Sequence, residues 1–204
     1  EVAANYRMRM VQISTDEVYG PIDKGDFNEE GPLKPRNRYA GSKAASEVFL
    51  YSYLFKPHNL DVLFTRSSNN FGQFQSQEKL VHTIAKAIAR KYPIPIHGKG
   101  NEIRDWLWVI DNCRAIDLIL HKGKTGEAYN ISAKNEISNK NLAKLAIKNF
   151  GGKIKFITNR PDNDSRYGIL SKKITDLGWV PEAFGKGFED YMVKTIKYYI
   201  EKYE

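Results

Sequence analysis

A chain of 204 residues that is 41% apolar is long enough for one large or two small domains with a real core. No apolar run approaches the ~20 residues of a membrane span and no basic-flanked apolar leader stands at the N-terminus, so the expectation is a cytoplasmic protein without membrane contact. The one cysteine, Cys113, excludes an intrachain disulfide framework, four scattered histidines offer no metal cluster, and the net charge of +8 is spread as solvated surface, with no basic arm for nucleic acid.

Taken in chain order, the pattern predicts the end of a helix running into a strand over 8 to 15, then a long loop to about 37 and a helix over 38 to 56. A strand over 61 to 66, a helix over 77 to 91 and short strands over 94 to 97 and 103 to 109 follow. The later part gives a helix over 112 to 122, a strand over 127 to 131, a helix over 138 to 149, a strand over 153 to 157, a short helix over 171 to 177 and a last helix over 185 to 203. Strands separated by helices of ten or more residues indicate parallel crossovers, so the expected class is α/β. The polar loop "SSNNFGQFQSQE", Ser67 to Glu78, marks a domain change, with 1 to 72 in one domain, 73 to 204 mainly in a second, and about 104 to 131 returning to the first. In the last helix Phe188, Tyr191, Met192, Thr195, Ile196, Tyr199 and Tyr203 recur at three- and four-residue spacing, which is a core-packing stripe.

Two features carry chemistry. In "RYAGSK" the Tyr39 phenol and the Lys43 ammonium stand four residues apart on one helix face, where a nearby cation favours the phenolate and makes tyrosine a usable proton acceptor. In "MVQISTDEVYG" a strand ends in Ser14 and Thr15 and is followed by two adjacent carboxylates, Asp16 and Glu17, at the strand tip where doubly wound sheets bind their ligands. Taken singly, each is also compatible with an ordinary surface pair or the start of a polar loop.

"STDEVYG", "RYAGSKAASE", "TRSSNNFGQFQSQEKL", "PIPIHGKGNEIRDWLWVID", "GEAYNIS" and "LGWVP" occur in the order seen in the extended short-chain dehydrogenase/reductase superfamily. Nearly the whole chain resembles the nucleoside-diphosphate-glucose 4,6-dehydratases, the dTDP-glucose type above all. The resemblance implies a Rossmann domain with a smaller sugar-nucleotide domain, NAD as cofactor, a nucleoside-diphosphate sugar as substrate and a homodimer joined through a helix bundle. It implies that Tyr39 accepts the 4-hydroxyl proton, that Lys43 lowers the phenol pKa and binds the nicotinamide ribose, and that Thr15 bridges tyrosine and substrate. Glu17 then removes the C5 proton while Asp16 protonates the departing 6-hydroxyl, an acid and base pair made of two carboxyls in different environments. Ser14 and Asn70 join Tyr39 and Lys43 at the cofactor. Asn69, Lys79, Leu80, Arg104, Asn139, Arg160 and Tyr167 reach the sugar nucleotide, and Pro95, Ile96 and His97 line the base pocket. Val48, Tyr51, Tyr53, Leu54 and Phe55 give the Tyr39 helix more apolar surface than one core face requires, as a dimer helix needs.

The chain departs from the pattern in three places. The loop "NRPDNDSRYG" carries Asn159, Asp162 and Asn163 where relatives usually show aspartate, glycine and histidine, and His97 stands where tyrosine is common. No G-x-x-G-x-x-G or G-x-G-x-x-G occurs, so the expectation is the C-terminal part of a longer chain that, alone, is inactive and binds NAD poorly. The rival readings are a UDP-sugar 4-epimerase or decarboxylase, which share the Tyr-Lys pair but usually lack the two carboxylates, and a catalytically incomplete sugar-nucleotide-binding fragment.

Overall fold

A computed structural model describes residues 2 to 159 and 164 to 203. The elements run α1 (Val2–Asn5), β1 (Met10–Thr15), a 3-10 turn (Asp16–Tyr19), α2 (Arg38–Ser52), β2 (Val62–Ser67), β3 (Asn69–Phe71), α3 (Leu80–Ala89), β4 (Ile94–His97), β5 (Ile103–Trp108), α4 (Val109–Lys122), β6 (Ala128–Ile131), β7 (Glu136–Ser138), α5 (Asn139–Phe150), β8 (Ile154–Ile157), α6 (Lys172–Asp176) and α7 (Lys186–Tyr203). They divide into two compact units. The first comprises residues 1–68, 111–132 and 167–180, and the second 69–110, 133–166 and 181–204.

The first unit is built on a parallel sheet in the order β1-β2-β6, with Met10 opposite Val62, Thr15 opposite Ser67 and Phe64 opposite Ala128. All six residues of β2 are buried, as a central strand between two parallel neighbours should be. Helix α2 packs on β1, and Leu50, Tyr53 and Leu54 close over Leu60, Val62 and Phe64. That helix ends at Ser52, four residues short of the predicted boundary, before Lys56 meets Pro57, whose ring disfavours helical backbone in the residue ahead of it.

In the second unit β3 runs parallel to β5, β7 antiparallel to β5, and β4 parallel to β8. Its core gathers Val81 and Ile84 of α3, Ile94 and Ile96 of β4, Leu142 of α5 and Phe188, Met192, Ile196 and Tyr199 of α7. The predicted stripe on α7 is therefore the buried face, each large apolar side chain contributing ~1.5–3 kcal/mol of burial. The α/β expectation holds, with parallel pairing in both units. Among the described residues no helix is long and apolar enough to cross a membrane.

Candidate active site

Strand β1 delivers Thr15 in extended backbone, φ −145° and ψ 153°, and the chain then tightens at once into the 3-10 turn. Thr15 caps that turn: its Oγ1 accepts from the Glu17 backbone N–H at 3.4 Å and donates to Asp16 Oδ1 at 3.1 Å. Gly20 closes it with φ 80°, its N–H donating to the Glu17 carbonyl at 3.0 Å. A Cβ there would sit 2.5 Å from the Lys34 carbonyl oxygen, so both the backbone and the space call for glycine. The turn leaves Asp16 buried and Glu17 half-buried, one after the other at the strand tip.

Helix α2 starts at the same place. Asn37 caps it, Oδ1 accepting from the Ala40 N–H at 2.8 Å, while its Nδ2 donates to Glu17 Oε2 at 2.7 Å. Two residues on, Tyr39 is 53% exposed, with Thr15 beside its phenol. The Tyr39 pKa lies above 10.0, first because of partial burial and then through the negative charges of Glu17 and Asp16, the Thr15 hydroxyl pulling the other way. This corrects the expectation of a phenol lowered by Lys43. The lysine shares the helix face, its Nζ donating to the Ile13 carbonyl at 3.0 Å and lying 5.9 Å from the Tyr39 ring centre, while burial and then the two carboxylates raise the phenol.

Two groups in this unit are not singled out by sequence reasoning. Asn37 is one, and its signal was an asparagine immediately ahead of a predicted helix. The other is a buried polar frame under the turn. Arg66 of β2 forks onto Glu47 of α2, Nε to Oε2 at 3.0 Å and Nη2 to Oε2 at 2.7 Å, and its Nη1 donates to the Tyr19 hydroxyl at 2.6 Å. Tyr19 in turn donates to Asn130 Oδ1 of β6 at 2.8 Å. The end of the 3-10 turn is thus fixed to two strands and to α2. Burial pushes the Tyr19 phenol up to about 12 despite the opposing charge of Arg66.

Ser14 and Tyr167 complete the predicted residues of the first unit; both are buried, and the Ser14 Oγ has no hydrogen-bond partner among the described residues. The second unit holds the others. Asn69 and Asn70 lie on β3 opposite Trp106 and Leu107, with the Asn69 Oδ1 buried and unpartnered among the described residues. Lys79 is exposed at the start of α3, and Leu80 is that helix's first residue. On β4 the side chains alternate: Ile96 points into the core, whereas Pro95 and His97 are half-exposed and His97 Nδ1 meets the Thr158 carbonyl at 2.8 Å. Arg104 donates to the Ile103 and Asp164 carbonyls at 2.7 and 3.0 Å, and Asn139 opens α5 with its N–H donated to the Glu102 carbonyl at 3.1 Å. Arg160 lies outside the described residues.

A family model described as GDP-mannose 4,6 dehydratase matches residues 1–191. The chain belongs to this family. Within it, the chain is 40% identical over 195 residues to the low-salt glycan biosynthesis protein Agl12 of Haloferax volcanii, covering 94% of the chain and 62% of that relative. It is 38% identical over 204 residues to the dTDP-glucose 4,6-dehydratase of Streptomyces niveus, covering 98% and 60%. The chain spans about 60% of the length of the curated relatives it matches. Among solved structures, the dTDP-glucose 4,6-dehydratase of Bacillus anthracis in complex with NAD superposes with a TM-score of 0.90 at 37% identity, over 98% of the chain and 64% of that one. The Streptomyces venezuelae dTDP-glucose 4,6-dehydratase with NAD and TYD bound gives 0.92 at 34%, over 98% and 62%. A Thermotoga maritima UDP-glucose 4-epimerase, 22% identical with a TM-score of 0.89, shares the fold. Chains whose printed names say dehydratase or epimerase thus share the same α/β fold.

Proposed function

We propose that the complete protein is an NAD-dependent lyase that dehydrates a nucleoside-diphosphate glucose, dTDP-glucose first among them, to the 4-keto-6-deoxy sugar nucleotide. The observation that carries this reading is the placement of Asp16 and Glu17 in one turn at the tip of β1, near enough to the Tyr39 phenol for both to raise its pKa. Elimination needs an acid and a base within a few ångströms, next to the group that accepts the proton of the preceding oxidation. An epimerase performs no elimination and has no use for the pair.

In this scheme Tyr39 Oη accepts the proton of the sugar 4-hydroxyl, and Thr15, beside the phenol, holds substrate and base in line. Glu17 removes the C5 proton at a carboxylate oriented by Asn37. Asp16, directly beside it and hydrogen-bonded to Thr15, delivers a proton to the departing 6-hydroxyl. The cofactor fits the groups present: the Ser14 hydroxyl, without a hydrogen-bond partner among the described residues, and the Lys43 ammonium beside Tyr39 suit the amide and ribose hydroxyls of a nicotinamide nucleotide. When bound, NAD would take up hydride from C4 and return it at C6. In the second unit Lys79 and Arg104 supply cations suited to a diphosphate, with Asn69, Asn70, Leu80, Asn139 and Arg160 as further contacts and Pro95 and His97 along the base, Ile96 being turned into the core; Tyr167 of the first unit is assigned to the nucleotide as well.

Incubating the full-length protein with dTDP-glucose and UDP-glucose tests the reading. A 4-keto sugar, seen as an alkali-dependent absorbance, is expected; no reaction with either substrate overturns the assignment, and a simple C4 epimer makes the protein an epimerase. For the 204-residue chain alone, which carries no glycine-rich phosphate turn, calorimetry with NAD should show little heat, and micromolar affinity would contradict this account. A homodimer through α2 is the third part of the proposal. Val48, Phe49, Tyr51 and Phe55 are 51–64% exposed on and just beyond that helix, whereas Tyr53 and Leu54 are turned to the core. Sedimentation of the full-length protein should show a dimer that Phe49→Lys weakens.

A further inference from the structure

Serine, threonine, aspartate and asparagine all cap helices well, so capping alone gives no reason for asparagine at position 37. The structure uses both ends of its amide. Oδ1 accepts from the Ala40 N–H at 2.8 Å and Nδ2 donates to Glu17 Oε2 at 2.7 Å. Because the amide is planar, anchoring one end on the helix fixes the direction in which the other donates. Aspartate would cap equally well but would turn a second carboxylate on Glu17, and serine is too short to do both. Among the described residues no other side chain donates to the Glu17 carboxylate. The helix so capped also carries Tyr39, two residues further on.

We propose that Asn37 is a positioning residue: it aims the Glu17 carboxylate by holding it to the first turn of the Tyr39 helix, so that the base of the elimination keeps a set relation to the base of the oxidation. This rests on the dehydratase reading above. Losing one hydrogen bond to a charged group corresponds to roughly 10- to 100-fold in the elimination rate.

The test uses the full-length protein with Asn37→Asp and Asn37→Ser, both of which keep a cap. In Asn37→Ser the melting temperature and the rate of nicotinamide reduction on adding substrate should stay near wild type, while in both variants formation of the 4-keto-6-deoxy product falls roughly 10- to 100-fold. In Asn37→Asp the acidic limb of the elimination profile should also move to higher pH, since a negative charge then stands where the Nδ2 donor faced Glu17. Elimination at the wild-type rate in Asn37→Asp, or a parallel fall of both steps with the melting temperature in Asn37→Ser, overturns the proposal. A second readout does not need turnover. The side-chain amide nitrogen resonance of Asn37 should move with pH in the wild type and lose that movement in Glu17→Gln; a resonance indifferent to Glu17 overturns the coupling. A wild type that forms no 4-keto product sinks the dehydratase reading and with it the role in elimination, whereas a resonance that follows Glu17 still establishes the bond.

Discussion

The Tyr39 phenol feels two negative charges, so any change to either is transmitted to its acidity. Glu17 is the larger of the two influences. Glu17→Gln should therefore lower the Tyr39 pKa and move the pH dependence of the oxidation step to lower pH, even as elimination stops. Following nicotinamide reduction against pH in the full-length variant decides this; an unmoved profile, or one shifted upward, would contradict the electrostatic picture. The Tyr39 and Lys43 pair was legible from spacing, because spacing reports which side chains share a helix face. The sign of the pKa shift was not legible. It depends on burial first and then on the two carboxylates.

At the scale of elements, the catalytic turn is held by a buried charge pair. Taking away one partner strands the other charge, so Glu47→Leu or Arg66→Met should each cost about 3–5 kcal/mol, while the two changes together should recover most of that. Denaturant unfolding of the two singles and the double gives the answer, and simple additivity would show that the pair does not act as a unit. The Tyr19 phenol adds an alkaline limit. Its folded pKa of about 12 exceeds the ordinary 10.0, so above pH 10 the unfolded chain releases a proton that the fold retains, and stability falls as pH rises towards 12. Tyr19→Phe should flatten that decline, and a wild type equally stable at pH 9 and 11 would argue against it. Long periodic elements announced themselves in the sequence, but β3 and β7, at three residues each, are too short to display alternation. Arg66, the one charged residue of β2, was the visible trace of the frame, and only the fold shows Glu47 and Tyr19 converging on it.

At the scale of the whole molecule, one source of acid sensitivity lies in the second unit. His82 Nε2 donates to the Gln75 carbonyl at 2.7 Å, its Nδ1 accepts from the Tyr203 hydroxyl at 3.0 Å, and Tyr199 donates to the Gly72 carbonyl at 2.8 Å, so α3 and α7 together hold the loop after β3. Burial lowers the His82 pKa below 6.5, the hydrogen bond to Gln75 opposing it. The unfolded chain then binds the proton first, and stability present above pH 6.5 should drain away as pH falls through the folded value. Faster amide exchange at residues 72 to 75 below pH 6.5, abolished by His82→Phe, is the expected result; exchange insensitive to that substitution would refute it. The α/β class was readable because helices of ten or more residues alternate with strands, a rhythm only parallel crossovers explain. The partition of the chain was harder to read, since it rests on contacts distant in sequence.

That partition has a consequence for how the protein can be made and cut. The backbone passes from one unit to the other after residues 68, 110, 132, 166 and 180, five passages in all. Neither unit corresponds to a continuous stretch of gene, so neither can be excised by trimming the ends. During synthesis the first unit awaits its α6 segment and the second awaits α7, so both are completed only as the last quarter of this chain emerges. A protease that nicks a single loop between residues 69 and 180 yields two pieces, each carrying parts of both units.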